Sequence, residues 1–518
     1  MSELGDKRAR LSLAVLAFCS CLAESAAAQD AHALTSQNAV EIAIKNNPNL
    51  HVALLQETQA RYAVTAEEAL YDPVFGADAN YSHNRNPSIN GAGTIISTID
   101  TESGDAYLNK TFALGTTLTA ELSGQRLTRA ALQLNTPGGT SATGPFYSLV
   151  GQLSLDQPFL RGSGTTLGLA SLRIARLNRT AAALAAQQTG SQILHDVLHA
   201  YWELWYATEA VRIDQASRDL AKTQQEQADE QVKSGTLANV DALPFATQTA
   251  QQDVALDTAV TTVRESALTL SLAIGRAQDL GPELTAVDTP PDVQIDDIDE
   301  RAIQEALDVN YQLKQAEANL QINQYQARIA GDSLRPKLDL TASVSAQGLG
   351  NQQVSPAFDQ VGHLDAVSAQ VGLAFQTPVT NTRRNAQIQE ALLAIHIDEK
   401  QIESLRQQTR TTINLATAAR NAAKRRLEFA LVTEKVAHDQ ADGVQGKFTA
   451  GTALAIEVQV ANNAYQSAQL TVQRARIDLV EAELDLLNDR GKLLERYADA
   501  LKSYQPTAVI LKDATDPM

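Results

Sequence analysis

Residues 337–347 read KLDLTASVSAQ, and residues 367–376 read VSAQVGLAFQ. In the first run Leu338, Leu340, Ala342, Val344 and Ala346 alternate with Asp339, Thr341, Ser343, Ser345 and Gln347. In the second, Val367, Ala369, Val371, Leu373 and Phe375 alternate with Ser368, Gln370, Gly372, Ala374 and Gln376. A period of two places one set on each face of a strand. Strands of about ten residues with one apolar and one polar face suit a membrane barrel with lipid outside and water inside. A soluble sandwich or barrel, with its apolar face inward, has the same pattern, so the surrounding sequence has to decide.

The pattern recurs earlier, at Phe75, Ala77, Ala79 and Tyr81 and again at Tyr147, Leu149, Leu153 and Leu155. The runs near 84–104, 128–145 and 348–365 are long and rich in Gly, Ser, Asn and Thr, whereas Leu114-Gly115-Thr116 is a short turn. Long outer loops and short periplasmic turns belong to outer-membrane barrels. The expectation is four strands within 73–157 and two within 336–377. Next to them lie runs with hardly a helix breaker. Residues 167–233 contain no proline and only Gly168 and Gly190, and 384–447 is interrupted only by Gly443 and Gly446. A helix of about 65 residues extends roughly 100 Å, longer than a globular core needs. A thin, alanine-rich stripe, as at Ile213, Ala216 and Leu220, points to coiled coils with one face left to water.

The chain is written twice. Residues 39–50, AVEIAIKNNPNL, align with 302–313, AIQEALDVNYQL, at an offset of 263. That offset pairs Asn47 with Asn310, Leu50 with Leu313 and Pro73 with Pro336. Downstream, Gly235-Thr236 pairs with Gly451-Thr452 and Gly275 with Gly491 at an offset of 216, so the first half carries 47 more residues, about one strand hairpin with its loop. The domain reading is a signal segment at 1–28, a first repeat at 29–277 with a helical hairpin at 165–275, and a linker at 278–298. A second repeat at 299–505 carries a helical hairpin at 382–503, and a tail follows at 506–518.

The N-terminal segment has a basic start at Lys7, Arg8 and Arg10, an apolar run from Leu11 to Ala23 and a small-residue cleavage site at Ala26-Ala27-Ala28, the layout of a secretory signal. Both cysteines, Cys19 and Cys21, fall inside it. Phe18-Cys19-Ser20 matches poorly the lead-in to a lipid-attachment cysteine, and cleavage after Ala28 leaves a chain with no disulfide or thiolate site. A net charge of -18 argues against nucleic acid. No later stretch is apolar enough for a membrane helix, so a membrane role falls to the strands. Six strands cannot close a wide pore alone, and several identical chains can.

These residues resemble the TolC family of outer-membrane efflux proteins. The matching stretches are LTSQNAVEIAIKNNPNL at 34–50, LDQPFLRG at 155–162, VKSGTLANVDAL at 232–243 and FTAGTALAIEVQVANNAYQSAQL at 448–470. The resemblance implies an α plus membrane β fold: a duplicated helix-strand-helix repeat forming a trimeric outer-membrane β-barrel and a long periplasmic α-helical coiled-coil barrel. It implies localisation in the cell outer membrane with the helices in the periplasm. It also implies a homotrimer that meets a periplasmic adaptor protein, an inner-membrane pump of unknown class and outer-membrane lipid. The function implied is a passive exit duct in a tripartite efflux or type I secretion system. Well-known members have four strands per subunit against six here.

The helix-to-helix tips are the candidate site. Gly235 and Gly451 end long helices, where glycine takes the left-handed cap. Asp241 and Glu457 each follow their glycine by six residues. The resemblance makes Asp241 and Glu457 the pore constriction, and Gly235, Thr236, Gly451 and Thr452 the tips that contact the adaptor. Crowded acidic rings would repel one another and favour cations; the plainer role is support of an early helical turn through the dipole. Family members often tie the closed gate with a tyrosine and an arginine; the matching positions hold Phe448 and Ala453, which offer neither hydroxyl nor ion pair.

His195-Asp196-Val197-Leu198-His199 has two histidines one helical turn apart, but Asp stands where a zinc hydrolase has Glu, and no third ligand is visible. It reads as part of a coiled-coil helix, with Tyr201, Trp202, Trp205 and Tyr206 as interhelical packing. Gly162-Ser163-Gly164 is not followed by a phosphate-loop lysine and reads as a strand-to-helix bend. No catalytic residue, metal site or cofactor is expected. The rival readings are a periplasmic coiled-coil adaptor, which normally has one helical hairpin where this chain has two, and an enzyme, for which no site is found.

Overall fold

The computed structural model describes residues 33–90, 93–133, 140–276, 284–293 and 298–497. The expected signal, both cysteines and the tail lie outside the described residues, as does much of the expected linker. The elements run β1 (Ala33–Leu34), α1 (Ser36–Asn46), α2 (Pro48–Ala69), β2 (Val74–Asn90), β3 (Gly93–Thr111), β4 (Thr117–Gln133) and β5 (Thr140–Pro158). Then come α3 (Thr165–Gly168), α4 (Ala170–Lys233), α5 (Asn239–Ala273), β6 (Thr285–Ala286), α6 (Glu300–Val309) and α7 (Tyr311–Asp332). They end with β7 (Lys337–Asn351), α8 (Ser355–His363), β8 (Val367–Gln376), α9 (Thr382–Thr449), α10 (Ala455–Asp489) and α11 (Leu493–Arg496). The expected mixture of strands and very long helices is borne out. No described helix is long and apolar enough to cross a membrane.

The chain divides into two compact units. One comprises residues up to Gln56, Ala183–Gln315 and those from Ile402 onward. Its core gathers Val40 and Ile44 of α1, Leu194, Leu198, Tyr201 and Leu204 of α4, Leu270 of α5 with Ile274 after it, and Ile477 and Leu484 of α10. The Tyr201 hydroxyl, fully buried, donates to the Leu34 carbonyl (3.0 Å) and accepts from the Asp288 N–H (3.1 Å). It thereby fixes β1 against the parallel strand β6. Trp202 stacks edge-on to both Tyr201 and Trp205 in the same interhelical layer.

The duplication is visible in atomic detail. Asn47 and Asn310 each start a helix by accepting a backbone N–H, from Leu50 at 3.3 Å and from Leu313 at 2.9 Å, as short polar side chains do at helix starts. Gly275 and Gly491 both end helices at positive φ, +78° and +68°. At Gly275 a Cβ would stand 2.5 Å from the Asn46 carbonyl oxygen, so both conformation and space demand glycine.

Further along the helices the buried positions fall seven apart: Ala221 and Ala228 on α4; Phe245, Gln252 and Ala259 on α5; Ala423 and Ala430 on α9; Ala461, Ala468 and Ala475 on α10. A sustained seven-residue repeat is the pattern of a left-handed supercoil, and alanine at the seam lets the backbones approach closely.

The second unit comprises Glu57–Ala182 and Ala316–Gln401 and holds one six-stranded antiparallel sheet, order β2-β3-β4-β5-β7-β8. Val344 pairs with both Leu153 and Ala369, and Leu122 pairs with both Gly151 and Ala106. The registers therefore align the apolar sets of all six strands on one face. Phe75, Leu122, Leu153, Val344 and Val371 on that face are 44–74% exposed. The other face carries Asp78, Asn80, Ser103, Thr119, Gln152, Ser343 and Gln370.

Two expectations are corrected. β8 has the expected ten residues, but β2 to β5 and β7 run to between 15 and 19, because the ladder continues past the apolar band into stretches expected as loops. There the cross-strand partners are polar: His83 Nδ1 meets Asp100 Oδ1 at 2.6 Å, and Arg126 Nη1 donates to Glu102 Oε1 at 2.8 Å. A backbone ladder needs no apolar side chain, and opposite charges across it add support. The stretch 348–365, expected as loop, contains the last residues of β7 and α8. Where β7 runs on past its pairing with β8, the Gln360 side chain accepts from the Leu349 N–H (3.0 Å) and donates to the Leu349 carbonyl (3.1 Å). α8 lies on the apolar face over Gly348, where a Cβ would stand 2.0 Å from the Ala357 carbonyl oxygen.

The turns behave as read. Gly115 takes φ +85°, with Phe112 N–H donating to Thr116 O (2.8 Å). Gly162 and Gly164, at φ +80° and +91°, redirect the chain from β5 into the helices, and the Gly162 N–H donates to Asp332 Oδ2 (2.6 Å).

Candidate functional site: the helix-to-helix tips

α4 turns into α5, and α9 into α10, through two tips built alike. Gly235 and Gly451 sit at φ +75° and +74°. Each donates its N–H back to the preceding helix, to Val232 O (3.0 Å) and Phe448 O (2.9 Å). Thr236 donates both its N–H (2.9 Å) and its hydroxyl (3.1 Å) to Gln231 O, and Thr452 does the same to Lys447 O at 2.9 Å and 3.1 Å. The repeated Gly-Thr is thus a two-residue C-cap: glycine supplies the positive φ and threonine satisfies a carbonyl left open at the helix end.

Asp241 lies in the first turn of α5 and Glu457 in the first turn of α10, both exposed. Glu457 Oε2 accepts from the Leu454 N–H at 3.3 Å, and a carboxylate there also suits the helix dipole. The two tips share one small apolar cluster: Ala228, Ala242 and Phe245, with Val232, Leu237, Phe448 and Ala455 against it. The Phe245 and Phe448 rings lie 5.9 Å apart. The residue that lacks a gate hydroxyl therefore packs the two hairpin ends together.

Sequence reasoning missed two features of this region. Val240 and Ile456 occupy equivalent places at the tips and are 74% and 50% exposed, an apolar pair beside the acidic residues. Above the tips a ladder of amides replaces the apolar seam. Gln248 Nε2 donates to Asn463 Oδ1 (2.5 Å), Gln459 Nε2 to Gln248 Oε1 (2.6 Å), Gln252 Nε2 to Gln466 Oε1 (2.9 Å) and Gln466 Nε2 to Asp214 Oδ1 (2.8 Å). The four-residue spacing of Gln248 and Gln252, and of Gln459 and Asn463, was the available signal.

The histidine pair faces α10. His195 Nε2 lies 2.7 Å from Asp485 Oδ1, and His199 Nε2 lies 3.3 Å from Glu481 Oε1. The Asp485 carboxylate, with help from Asp196 and against burial, raises the His195 pKa above its ordinary value. Arg474 donates to both oxygens of Glu203 (2.8 and 2.9 Å), to Glu481 Oε2 (2.8 Å) and to Asp478 Oδ1 (2.6 Å). Burial, opposed by Arg474, lifts the Glu481 carboxyl to about 8.

The chain thus joins a six-stranded sheet with one apolar and one polar face to duplicated long helical hairpins. Residues 302–492 match the outer membrane efflux protein family, and the resemblance drawn from the sequence is borne out. The fold is shared with the CmeC outer membrane channel of Campylobacter jejuni, at 13% identity and TM-score 0.66, over 91% of this chain and 90% of that one. It is shared with the outer membrane protein VceC of Vibrio cholerae at 14% identity and TM-score 0.62, over 88% and 96%. The open-state MtrE outer membrane channel of Neisseria gonorrhoeae shares it at 17% identity and TM-score 0.60, over 88% and 89%. No curated protein sequence matches the chain.

Proposed function

We propose that the chain is one subunit of a passive outer-membrane exit duct, working with a periplasmic adaptor and an inner-membrane pump in an efflux or type I secretion assembly. The observation that carries this reading is the sheet. Outside the patch that α8 covers, its apolar face is exposed on all six strands, and its edge strands β2 and β8 have no outer partner among the described residues. Exposed apolar area on this scale marks an interaction or membrane surface, and an open edge cannot stay in lipid. Antiparallel pairing of β8 with β2 of a second copy, repeated three times, removes every edge. All six strands belong to one ladder, so a trimer closes at about 18 strands, a size that leaves a water-filled lumen.

The helical hairpins form the periplasmic tunnel, and the tips form its entrance. Asp241 and Glu457, repeated threefold, line the constriction; Gly235, Thr236, Gly451 and Thr452 shape the ends that meet the adaptor, with Val240 and Ile456 as its apolar contacts. Conduction needs no energy of its own. In planar bilayers the purified protein should form cation-selective pores, and the double variant Asp241→Ala, Glu457→Ala should lose that selectivity. Pores with unchanged selectivity would remove both residues from the constriction; no pores at all would remove the duct.

A further inference from the structure

We propose that His199, Glu203 and Glu481 form a binding site for a divalent transition-metal ion, of the zinc class, between α4 and α10. The site stands apart from the tips and rests on the geometry within one chain, independent of the duct reading. His199 and Glu203 lie one turn apart on α4, and Glu481 faces them from α10. One ligand atom from each lies within 4.8 Å of the other two. Ligand atoms around tetrahedral zinc are roughly 3.3 Å apart, so small side-chain rotations close the set.

Two further observations point to a cation. Glu481 Oε1 is buried and has no hydrogen-bond partner, although His199 Nε2 is only 3.3 Å away. An orphaned buried carboxylate oxygen is costly and calls for a proton or a cation. The charge balance agrees. Glu203, Asp478 and Glu481 surround the single guanidinium of Arg474, so acidic groups outnumber cations here, and a divalent ion would take the place of the proton on Glu481. Arg474 holds Glu481 through its other oxygen, Oε2, and Glu203 through both oxygens, and so fixes the orientation of both carboxylates, as outer-shell partners do around metals. One imidazole with two carboxylates suits zinc better than calcium or magnesium, which take oxygen alone. His199 is exposed, so water can complete the fourth position. His195 is engaged by Asp485 and Asp196 and stands outside the triad. α4 belongs to the first half of the duplicated chain and α10 to the second, so a bound ion ties the halves together.

The test is calorimetric titration of zinc chloride into the full-length, chelator-stripped protein in detergent, compared with His199→Ala, Glu481→Gln and, elsewhere on α9, His438→Ala. One zinc per chain is expected. His199→Ala and Glu481→Gln should weaken binding at least tenfold, and His438→Ala should bind as the parent does. X-ray absorption on the zinc-loaded parent should show mixed nitrogen and oxygen ligands that change in His199→Ala. Should that variant misfold by circular dichroism, His199→Gln keeps the side-chain bulk and should show the same loss. A parent that binds no zinc, or a folded His199 variant that binds as tightly as the parent, would overturn the proposal.

Discussion

Val371 is the residue on which the lipid-facing reading can be weighed most sharply. It is the fifth of ten residues in β8, 74% exposed, and its apolar face continues through Ala342 and Leu155 on the neighbouring strands. If that face meets lipid, Val371 stands near the bilayer midplane, where arginine costs about 2–4 kcal/mol. At 1.4 kcal/mol per factor of ten, that is roughly 30- to 700-fold per copy, compounded threefold in a trimer. Gln370 is its immediate neighbour on the opposite face, and arginine there meets water at little cost. Val371→Arg should therefore abolish the heat-sensitive oligomer recovered from outer membranes on semi-native gels. Gln370→Arg should leave the oligomer intact and alter only pore conductance. Damage from Gln370→Arg with Val371→Arg tolerated would invert the faces and refute the reasoning.

Other consequences are as concrete. Gly348→Val drives a side chain into the Ala357 carbonyl, so it should lift α8 off the sheet and speed hydrogen exchange across 355–363 at least tenfold while β7 and β8 stay protected; unchanged exchange would mean α8 does not need that glycine. His195 titrates with a raised pKa, so its stabilising effect is complete below its ordinary value and is lost as pH rises through the folded value. Thermal stability should fall as pH rises above the ordinary histidine value more steeply in the parent than in His195→Gln, and equal slopes would show that the contact with Asp485 contributes nothing.

The sequence disclosed what is local and periodic. Alternation at 338–346 marks a two-faced strand, and the offsets of 263 and 216 pair Asn47 with Asn310 and Gly235 with Gly451. The residues it concealed depend on partners far along the chain. The pairs His83–Asp100 and Glu102–Arg126 are invisible until the strand register is known, so polar strand ends looked like loops. α8 hid in a Gly- and Gln-rich stretch, although Pro356 in its first turn and Phe358 and Val361 three apart were helix signals. The four-residue spacing of Gln248 and Gln252 acquires its meaning only from Asn463 and Gln466 opposite them on a distant helix. For the same reason the triad partner of His199 could not be seen: Glu481 lies 282 residues further along. That the extra hairpin enters the same ladder as the other strands is also a matter of non-local pairing, beyond the reach of periodicity.

Closure of the sheet between copies is open to direct measurement by cysteine bridging in a background with Cys19 and Cys21 replaced. Val371→Cys on β8 would be combined in turn with Ala77→Cys, Ala79→Cys or Tyr81→Cys on β2, and with Asp78→Cys or Asn80→Cys as opposite-face controls. Joined edges should give a ladder of oxidised dimers and trimers from at least one odd-numbered partner and none from the even-numbered ones. Monomers throughout, or bridging by the even-numbered set alone, would contradict a barrel made of three shared sheets.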